Sequence, residues 1–327
     1  MYKEPYEIEA ENNNTAFDEL VRAINNRLVF AFIGAGCSKR SGCEYPGWKE
    51  LINLLEASVK AKDPSKDLKP YQNLSDDKND LLWYADYLKT EYLTDEEFFT
   101  IIRTHYQPKK IEDWSFHQEL LRINFRHFFT TNYDALIENT PQLDPRPLDY
   151  FSWNNKTKLK EFYQSINDPT KLEDRCVFHV HGRYDDQGSI ILTEKDYMDM
   201  YFKDELSVKI LWSIISVYRM CFIGFGMKDL EVLTVFRKVW WDFGRGESKH
   251  FAFIHENDLV KRYVLRQYMK SKYGIEPIFY NVRTEQQDLH DELNDFIKRL
   301  AANQPIKSIS TRDVERVDEI MDVNINE

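Results

Sequence analysis

Short apolar runs recur along the chain, each followed by glycine or by polar residues. They cover residues 28–33, 127–131, 176–181, 220–224, 250–255 and 276–280. A short apolar run that stops in this way predicts a strand buried in a parallel sheet. Helical spacing lies between the runs, beginning with residues 15–28, where Phe17, Leu20, Val21 and Ile24 recur every three or four positions.

Strand-like and helical patterns alternate over most of residues 28–300. This alternation predicts an α/β fold, a Rossmann-like doubly wound parallel sheet with helices on both faces. Sheets of this type bind ligands at the carboxyl ends of their strands. The candidate functional residues are therefore those that follow each apolar run.

Two stretches interrupt the alternation and define the predicted organisation. Residues 48–125 are helical and aromatic-rich and predict a helical insertion, whose aromatic side chains either pack it against the sheet or offer apolar contact area to a partner. Residues 140–174 are polar and contain several prolines, which predicts a loop-rich excursion. We expect one domain over residues 1–302, followed by a charged tail at 303–327.

The charge of the chain argues against a nucleic-acid-binding role. It carries 55 acidic and 44 basic side chains, for a formal net charge of −11, whereas nucleic-acid-binding surfaces are normally basic. No apolar run reaches the ~18 residues that a membrane span needs. Residues 1–14 are polar and acidic and lack the layout of a secretory signal. We therefore expect a cytoplasmic protein with no direct nucleic-acid or membrane binding.

The cysteines carry no sign of a metal site. Cys37, Cys43, Cys176 and Cys221 are scattered without a Cys-x-x-Cys pair, so a structural zinc site of the usual spacing is not expected. A disulfide framework is equally unexpected in a chain of this size. We predict four small, buried side chains.

The first candidate site follows the first apolar run and begins Gly34-Ala35-Gly36-Cys37-Ser38. Glycines at the end of a strand let backbone N–H groups approach a phosphate, and a following helix N-terminus favours its negative charge. The segment is neither a P-loop nor a complete Gly-x-Gly-x-x-Gly, because Lys39 stands in the third glycine place. A plain strand-to-helix turn explains the same glycines. An ordinary dehydrogenase is disfavoured, because no acidic residue closes a second strand about 20 residues further on.

The second candidate site is Thr130-Thr131-Asn132-Tyr133-Asp134, after the second run. In an extended chain Asn132 and Asp134 point to the same side. An amide beside a carboxylate is suited to orienting water and holding a carboxamide. The alternative is that Asp134 only caps a helix at residues 135–139.

The third candidate site contains two histidines, in His179-Val180-His181-Gly182. At this spacing both histidines face one side of the predicted strand. We predict that His181, at the mouth of the sheet, is a general base and that His179 is a hydrogen-bonded core residue. A metal site is the alternative, but no third ligand with suitable spacing accompanies the pair.

The fourth candidate site, Gly224-Phe225-Gly226-Met227-Lys228-Asp229, opens from another apolar run into a helical pattern. A turn alone would account for its two glycines. Asp229 is either the cap of the following helix or an acceptor for a ribose hydroxyl.

The order of these motifs is more specific than any one of them. A glycine loop, Thr-x-Asn-x-Asp, His-Gly and then Gly-x-Gly after a strand resembles the sirtuin family over about residues 28–300. The bacterial branch found in anti-phage, NAD-depleting systems is most similar. Four segments resemble that branch: residues 32–38, 192–197, 224–229 and 273–300.

The resemblance implies an NAD site. The backbone of Gly34, Ala35 and Gly36 and the side chain of Ser38 would face the NAD phosphates. Asn132 and Asp134 would line the nicotinamide and ribose pocket, and His181 would be the catalytic base. The remaining implied NAD-binding residues are Thr131, Gly182, Gly224, Gly226 and Asp229, with the two later glycines flanking the adenosine half.

The chain departs from the lysine deacylases of that family in two places. Their four-cysteine zinc module is missing, because the corresponding interval holds only Cys176. Their Pro-Asp-Phe-Arg phrase is replaced by Glu44-Tyr45-Pro46-Gly47-Trp48. Both differences disfavour protein deacylation and favour hydrolysis of NAD itself, without a metal.

The leading hypothesis is an NAD+ glycohydrolase that releases nicotinamide and ADP-ribose as the effector of an anti-phage system. One alternative is a non-catalytic module that binds NAD or ADP-ribose and regulates a partner; another is a sirtuin-type deacylase or ADP-ribosyltransferase. An unrestrained NAD hydrolase would poison its own cell. We therefore expect a homo-oligomer that is controlled by a partner, such as a hexameric motor ATPase or an Argonaute-type protein.

Overall fold

Seven strands form one parallel sheet in the part of the chain that the computed structural model describes. That part is residues 8–303 without 79, 142–147, 167, 169–170, 172–173, 228, 244–249 and 283–289. The strands are Val29–Ile33 (β1), Phe128–Thr130 (β2), Asp149–Ser152 (β3), Cys176–His179 (β4), Arg219–Ile223 (β5), His250–His255 (β6) and Ile275–Tyr280 (β7). Their order in the sheet is β3-β4-β2-β1-β5-β6-β7, and every neighbouring pair is parallel. The predicted doubly wound α/β fold is confirmed.

Helices lie before, between and after the strands along the chain. They are Glu9–Asn25 (α1), Ala35–Ser38 (α2), Trp48–Lys62 (α3), Lys69–Lys78 (α4), Leu81–Tyr92 (α5), Asp95–Tyr106 (α6), Ser115–Arg122 (α7), Leu136–Asn139 (α8), Lys156–Ser165 (α9), Glu194–Met198 (α10), Glu205–Val217 (α11), Leu230–Asp242 (α12), Leu259–Tyr273 (α13) and Asp291–Ala302 (α14). Helix α1 begins earlier than its apolar spacing predicts. Among the described helices, none is long and apolar enough to cross a bilayer.

The two faces of the sheet bury separate cores. Phe30 and Phe32 of β1 point into a cluster with α9, α11 and α12. Val29, Ala31 and Ile33 point the other way, into a cluster with α1, α7 and α14. All five residues of β1 are buried, because both faces of the sheet are covered. The sequence of this strand is therefore a continuous apolar run.

The predicted loop-rich excursion at residues 140–174 contains regular structure, which corrects that expectation. Strand β3 and helix α9 both lie within it. Strand β3 is an edge strand that pairs only with β4, and its first two residues, Asp149 and Tyr150, are exposed. An edge strand needs no continuous apolar run, so the hydrophobic pattern did not reveal it.

The predicted helical insertion at residues 48–125 contains only helices among its described elements, α3 to α7. It has its own core, in which Tyr84 and Phe98 are buried and Trp83, Tyr87 and Phe99 are partly buried. These aromatic side chains pack the insertion together, and against residues after β2 and β4. These contacts support the interpretation in which the aromatic side chains pack the insertion against the sheet.

The four cysteines are free thiols. Cys37 and Cys221 are buried, as predicted, but Cys43 and Cys176 are partly exposed, which corrects the expectation for those two. The predicted tail lies outside the described residues from 304 onwards.

The strand order brings the four candidate segments to one edge of the sheet. The chain leaves β1 towards β2 and β4 on one side, and later enters β5 on the other side of β1. In such sheets the point where connections diverge is the usual ligand crevice. The candidate segments follow β4, β2, β1 and β5, which are consecutive neighbours.

Candidate active site

The glycine loop after β1 packs backbone to backbone against the loop after β5. The N–H of Gly36 donates to the carbonyl of Gly224 over 2.8 Å, and the N–H of Gly34 donates to that of Ile223 over 2.9 Å. A Cβ on Gly34 would lie 2.5 Å from the Gly224 oxygen. Gly224 itself has a φ of +62°, and a Cβ there would lie 2.5 Å from the Cys37 nitrogen. Glycine is therefore required for this close approach, with or without a ligand.

This packing changes the expectation for the phosphates. The N–H groups of Gly34 and Gly36, which the resemblance assigned to NAD, already donate within the protein. Ala35 and Gly226 are exposed at the same edge, and a Cβ on Gly226 would meet no atom within 4 Å. Open space for a ligand therefore lies beside Ala35 and Gly226.

Ser38 links the glycine loop to the segment after β2. The Asn132 amide donates to the Ser38 hydroxyl over 2.9 Å, and that hydroxyl donates to Oδ2 of Asp134 over 2.7 Å. Thr130 holds the start of the segment, because its Oγ1 donates to the Ile33 carbonyl and accepts from the Asn132 N–H, both over 3.0 Å. Asn132 and Asp134 thus meet at one hydroxyl, on the same side of the chain.

Asp134 also caps the short helix that follows it. Its Oδ1 accepts from the Leu136 N–H over 3.1 Å, so the capping role and the contact with Ser38 coexist on different oxygens. Burial raises the pKa of this carboxyl above its ordinary value, although the Ser38 hydrogen bond acts in the opposite direction.

His181 lies in a cage of two tyrosines and one carboxylate, which we call the His181 cluster. Its Nε2 lies 3.0 Å from the Tyr201 hydroxyl, and its Nδ1 lies 3.4 Å from the Tyr197 hydroxyl. Tyr197 donates to Oδ2 of Asp229 over 3.0 Å. The His181 ring is fully buried, and burial lowers its pKa to about 3. The ring is therefore neutral at physiological pH.

Asp229 closes this cluster from the loop after β5. Its Oδ2 lies 3.9 Å from Nδ1 of His181, and its Oδ1 accepts from the Val232 N–H over 3.0 Å as the cap of α12. Burial raises the pKa of Asp229 to about 6. The structure thus confirms that Asp229 caps the following helix, which was one of the two roles considered from the sequence. Its other carboxylate oxygen, Oδ2, lies on the side of His181.

His179 has a different environment, which we call the His179 cluster. Its Nε2 lies 3.0 Å from Oε1 of Glu138, and its Nδ1 lies 3.2 Å from the Asn132 carbonyl. Arg183 donates through Nε to the same Glu138 oxygen over 2.9 Å. Burial raises the pKa of Glu138, but His179 and Arg183 outweigh that effect and hold it below its ordinary value. These contacts support the structural role that the sequence suggested for His179.

Gly182 turns the chain directly after His181. It has a φ of +88°, and a Cβ there would lie 2.1 Å from the Ser189 carbonyl oxygen. The residue is buried. This turn therefore explains why position 182 is a glycine. The turn brings residues 189–191 against the end of β4, where the Ile191 N–H donates a hydrogen bond to the His181 carbonyl.

Asn132 and His181 occupy equivalent places on neighbouring strands. Thr130 pairs with His179 in the parallel register, and each candidate residue lies two positions further on. The partly buried Thr131 precedes Asn132. The predicted site residues after β1, β2, β4 and β5 thus share one edge of the sheet.

Neither histidine cluster forms a metal site. Within the described ranges, no group of three or more His, Cys, Asp or Glu side chains is arranged to hold a metal ion. A surface groove between α9 and α11, lined by Lys160, Tyr163, Lys209 and others, contains none of the predicted site residues.

Sequence reasoning missed the two tyrosines of the His181 cluster. Tyr197 stands within the segment 192–197 that carried the family resemblance, and Tyr201 follows at helical spacing. That spacing was the available signal, since residues i and i+4 share one helix face. In the structure their rings stack 5.6 Å apart, and Tyr201 lies in a π-helical turn, Asp199–Lys203.

Comparisons with known proteins show which family this chain resembles. The family described as the SIR2-like domain matches residues 126–278. Over these residues the chain is similar to the SIR2-like domain. The resemblance to sirtuins is thereby confirmed, and the matched range contains Asn132, His181, Tyr197 and Asp229.

Several relatives match more of the chain than residues 126–278. "NAD(+) hydrolase ThsA" of Bacillus cereus (strain MSX-D12) is 21% identical over 87% of this chain and 56% of its own length. "NAD(+) hydrolase ThsA" of Enterococcus faecium is 25% identical over 72% of this chain and 44% of its own length. "Defense-associated sirtuin 2" of Bacillus subtilis is 26% identical over 72% of this chain and 21% of its own length. The chain thus spans about half or less of these relatives.

Proposed function

We propose that this chain is an NAD+ glycohydrolase that cleaves the nicotinamide–ribose bond and releases nicotinamide and ADP-ribose. The observation that carries the proposal is a neutral, buried His181 after β4, with Asn132 at the equivalent place after the neighbouring strand β2. Both residues lie in the range that matches the SIR2-like domain. The names of the relatives in Bacillus cereus and Enterococcus faecium support the same reaction.

The main task of the protein in this reaction is to position the ribose and the attacking water. Nicotinamide in NAD+ is already a cationic leaving group, so it departs with the C–N electron pair and needs no general acid. The site must stabilise positive charge on the ribose ring, exclude bulk water and direct one water at the anomeric carbon. In the proposal His181 accepts a proton from that water or from a ribose hydroxyl, and no metal takes part.

Asn132 is assigned to positioning the water or the ribose. Its amide is anchored through Ser38 to Asp134, which fixes its orientation without placing a charge on it. Asp134 therefore acts in the proposal through Asn132 and Ser38.

The dinucleotide would cross the edge of the sheet from β5 to β4. The adenosine half would lie at the Gly224 and Gly226 loop, and the diphosphate beside Ala35. Thr131 and Gly182 would flank the nicotinamide ribose.

A closed resting conformation is part of the proposal. The His181 ring is fully enclosed, and the Tyr201 hydroxyl occupies its Nε2. A water or ribose hydroxyl therefore reaches that nitrogen only when Tyr201 withdraws. Single π-helical turns occur frequently at functional sites, and the turn that carries Tyr201 is the candidate element for this movement.

A nicotinamide-release assay tests the proposal. The purified chain is incubated with NAD+, with and without an acylated peptide, and nicotinamide and ADP-ribose are quantified by chromatography. We expect peptide-independent release of both products, and its loss in Asn132→Ala. NAD binding without turnover would favour the regulatory module. Peptide-dependent release would favour a deacylase or transferase.

Restraint of the activity is proposed to be quaternary. We propose a cytoplasmic homo-oligomer in an anti-phage system, with a partner such as a motor ATPase or an Argonaute-type protein as its control. The relative named "Defense-associated sirtuin 2" supports the defence context. Light scattering coupled to nicotinamide release tests this: a strictly monomeric, fully active enzyme that no partner alters would contradict it.

A further inference from the structure

The surroundings of His181 specify which ring nitrogen carries its proton. A tyrosine hydroxyl has one proton to donate, and that of Tyr197 is donated to Oδ2 of Asp229 over 3.0 Å. The Tyr197 oxygen also lies 3.4 Å from Nδ1 of His181. With its proton directed at Asp229, Tyr197 contacts Nδ1 as an acceptor. Nδ1 therefore carries the proton.

The opposite side of the ring agrees with this assignment. When a neutral imidazole is protonated on Nδ1, its Nε2 holds a lone pair. The Tyr201 hydroxyl lies 3.0 Å from Nε2 and donates its own proton to that lone pair. Each of the four groups then has a consistent role as donor or acceptor.

We propose that Asp229 and Tyr197 are positioning residues that hold His181 in its Nδ1–H form and leave Nε2 as the basic nitrogen. The catalytic part of this inference rests on the proposed NAD hydrolysis, whereas the assignment of the proton does not. Asp229 therefore serves His181 through Tyr197, and not the ribose hydroxyl that the sequence offered as an alternative to the helix cap.

The distances make Tyr197 the necessary link. Oδ2 of Asp229 is 3.9 Å from Nδ1 of His181, which is too long for a direct hydrogen bond. Tyr197 bridges that gap and is itself buried.

Asp229 also has a second function during the reaction. When Nε2 takes a proton from the attacking water, an O–H bond breaks and an N–H bond forms, and the new positive charge on the ring faces the Asp229 carboxylate.

Asp229→Asn separates this role from helix capping. Oδ1 of Asp229 caps α12 at Val232, and asparagine is an equally good N-cap. With its oxygen kept on Val232, the asparagine would present its NH2 group to the Tyr197 oxygen. The Tyr197 proton would then turn to Nδ1 of His181, and the ring would carry its own proton on Nε2. The variant thus inverts the tautomer while the cap is kept.

The experiment reads the two ring nitrogens directly. The full chain is labelled with ¹⁵N-histidine, and the His181 signals are assigned by their loss in His181→Gln. We expect protonated Nδ1 in the wild type and protonated Nε2 in Asp229→Asn. In parallel, kcat for nicotinamide release should fall by ~10²–10⁴-fold in Asp229→Asn with little change in KM, as expected when a general base is in the wrong form.

Tyr197→Phe and Tyr84→Phe form a matched pair. Tyr84 is also buried, and its hydroxyl also donates to a carboxylate, Glu56, over 3.2 Å, but it lies in the helical insertion. Tyr197→Phe should lower kcat. The ¹⁵N signals of His181 should no longer show protonation on Nδ1 alone, because nothing then holds the proton there. Tyr84→Phe should leave kcat and the His181 nitrogen signals unchanged.

Three results would overturn the inference: a wild-type proton on Nε2, an unchanged tautomer in Asp229→Asn, or an inverted tautomer with unchanged kcat. A wild type that releases no nicotinamide contradicts the proposed function instead, while the nitrogen signals still decide where the proton lies.

Discussion

His179 and His181 lie two residues apart and are both fully buried, yet their surroundings differ in kind. His179 faces the carboxylate of Glu138, which Arg183 also contacts, so charges compensate one another in that cluster. His181 faces two tyrosine hydroxyls, with a carboxylate beyond them. Their sequence positions are nearly the same, so the neighbours of each ring distinguish the charge-compensated His179 from the His181 that we propose as the general base.

The largest expected effect is the loss of nicotinamide release when the histidine of the His181 cluster is replaced. His181→Ala should lower nicotinamide release by ~10²–10⁴-fold, because a general base typically contributes that much. The far-ultraviolet circular dichroism spectrum should be retained, because the substitution leaves the sheet and its cores unchanged. A variant that releases nicotinamide at near wild-type rate would remove His181 from the mechanism.

The second prediction tests the His179 cluster by stability. Glu138→Gln removes the charge that faces buried Arg183 and His179, and breaking a buried pair costs ~3 kcal/mol or more. Urea unfolding should show this loss in the free energy of unfolding. The folded fraction should keep its nicotinamide-release rate within a few-fold, and a loss of activity as large as that of His181→Ala would erase the distinction between the clusters.

The third prediction concerns the turn that follows His181. Gly182→Ala should cost about 2 kcal/mol or more, because the left-handed backbone is strained for alanine and the new Cβ would overlap a carbonyl oxygen. Gly188→Ala is the control in the same connection, since its nearest neighbour would lie 3.6 Å from the new Cβ. Thermal unfolding of both variants checks this, and equal stabilities would contradict it.

The smallest expected effect, taken per pH unit, is a dependence of stability on pH. Burial holds the pKa of folded His181 at about 3, so below the ordinary histidine value of ~6.5 the unfolded chain binds a proton that the folded chain does not. The free energy of unfolding should therefore fall as the pH drops from ~6.5 towards ~3, by up to about 1.4 kcal/mol per pH unit for this group.

The matching measurement compares urea unfolding between pH 7 and pH 5 in the wild type, in His181→Gln and in His255→Gln. His255 is exposed and serves as the control. The groups that face His181 are Tyr197, Tyr201 and Asp229. Asp229 has a raised pKa of about 6, so its own contribution has the opposite sign, but it is present in all three proteins. If the free energy of unfolding changed equally with pH in the wild type and in His181→Gln, the prediction would be contradicted.

The sequence predicted most of the fold because buried parallel strands have a strong local signature. Residues 250–255 coincide with β6, and the other predicted runs overlap β1, β2, β4, β5 and β7. Strand β3 was missed because an exposed edge strand carries no apolar run. Its place depends on pairing with β4, which is not a local property of the chain.

The candidate site was predictable only where a motif follows a strand. Asn132, Asp134 and His181 follow such strands and meet at one edge. The helical spacing of Tyr197 and Tyr201 was visible in the sequence, but their contact with His181 was not, because they reach it from a separate helical segment. The mutual packing of Gly34 and Gly224 likewise joins two distant loops, so the sequence showed the glycines without showing that they contact each other.

The most direct test of the account is a crystal structure of the His181→Ala protein with bound NAD+. We expect the dinucleotide along the edge formed by β5, β1, β2 and β4, with its diphosphate beside Ala35. The nicotinamide ribose should lie between Asn132 and residue 181, with the Tyr201 side chain displaced. NAD+ bound at another surface, or bound here with its nicotinamide end directed away from Asn132, would contradict the account.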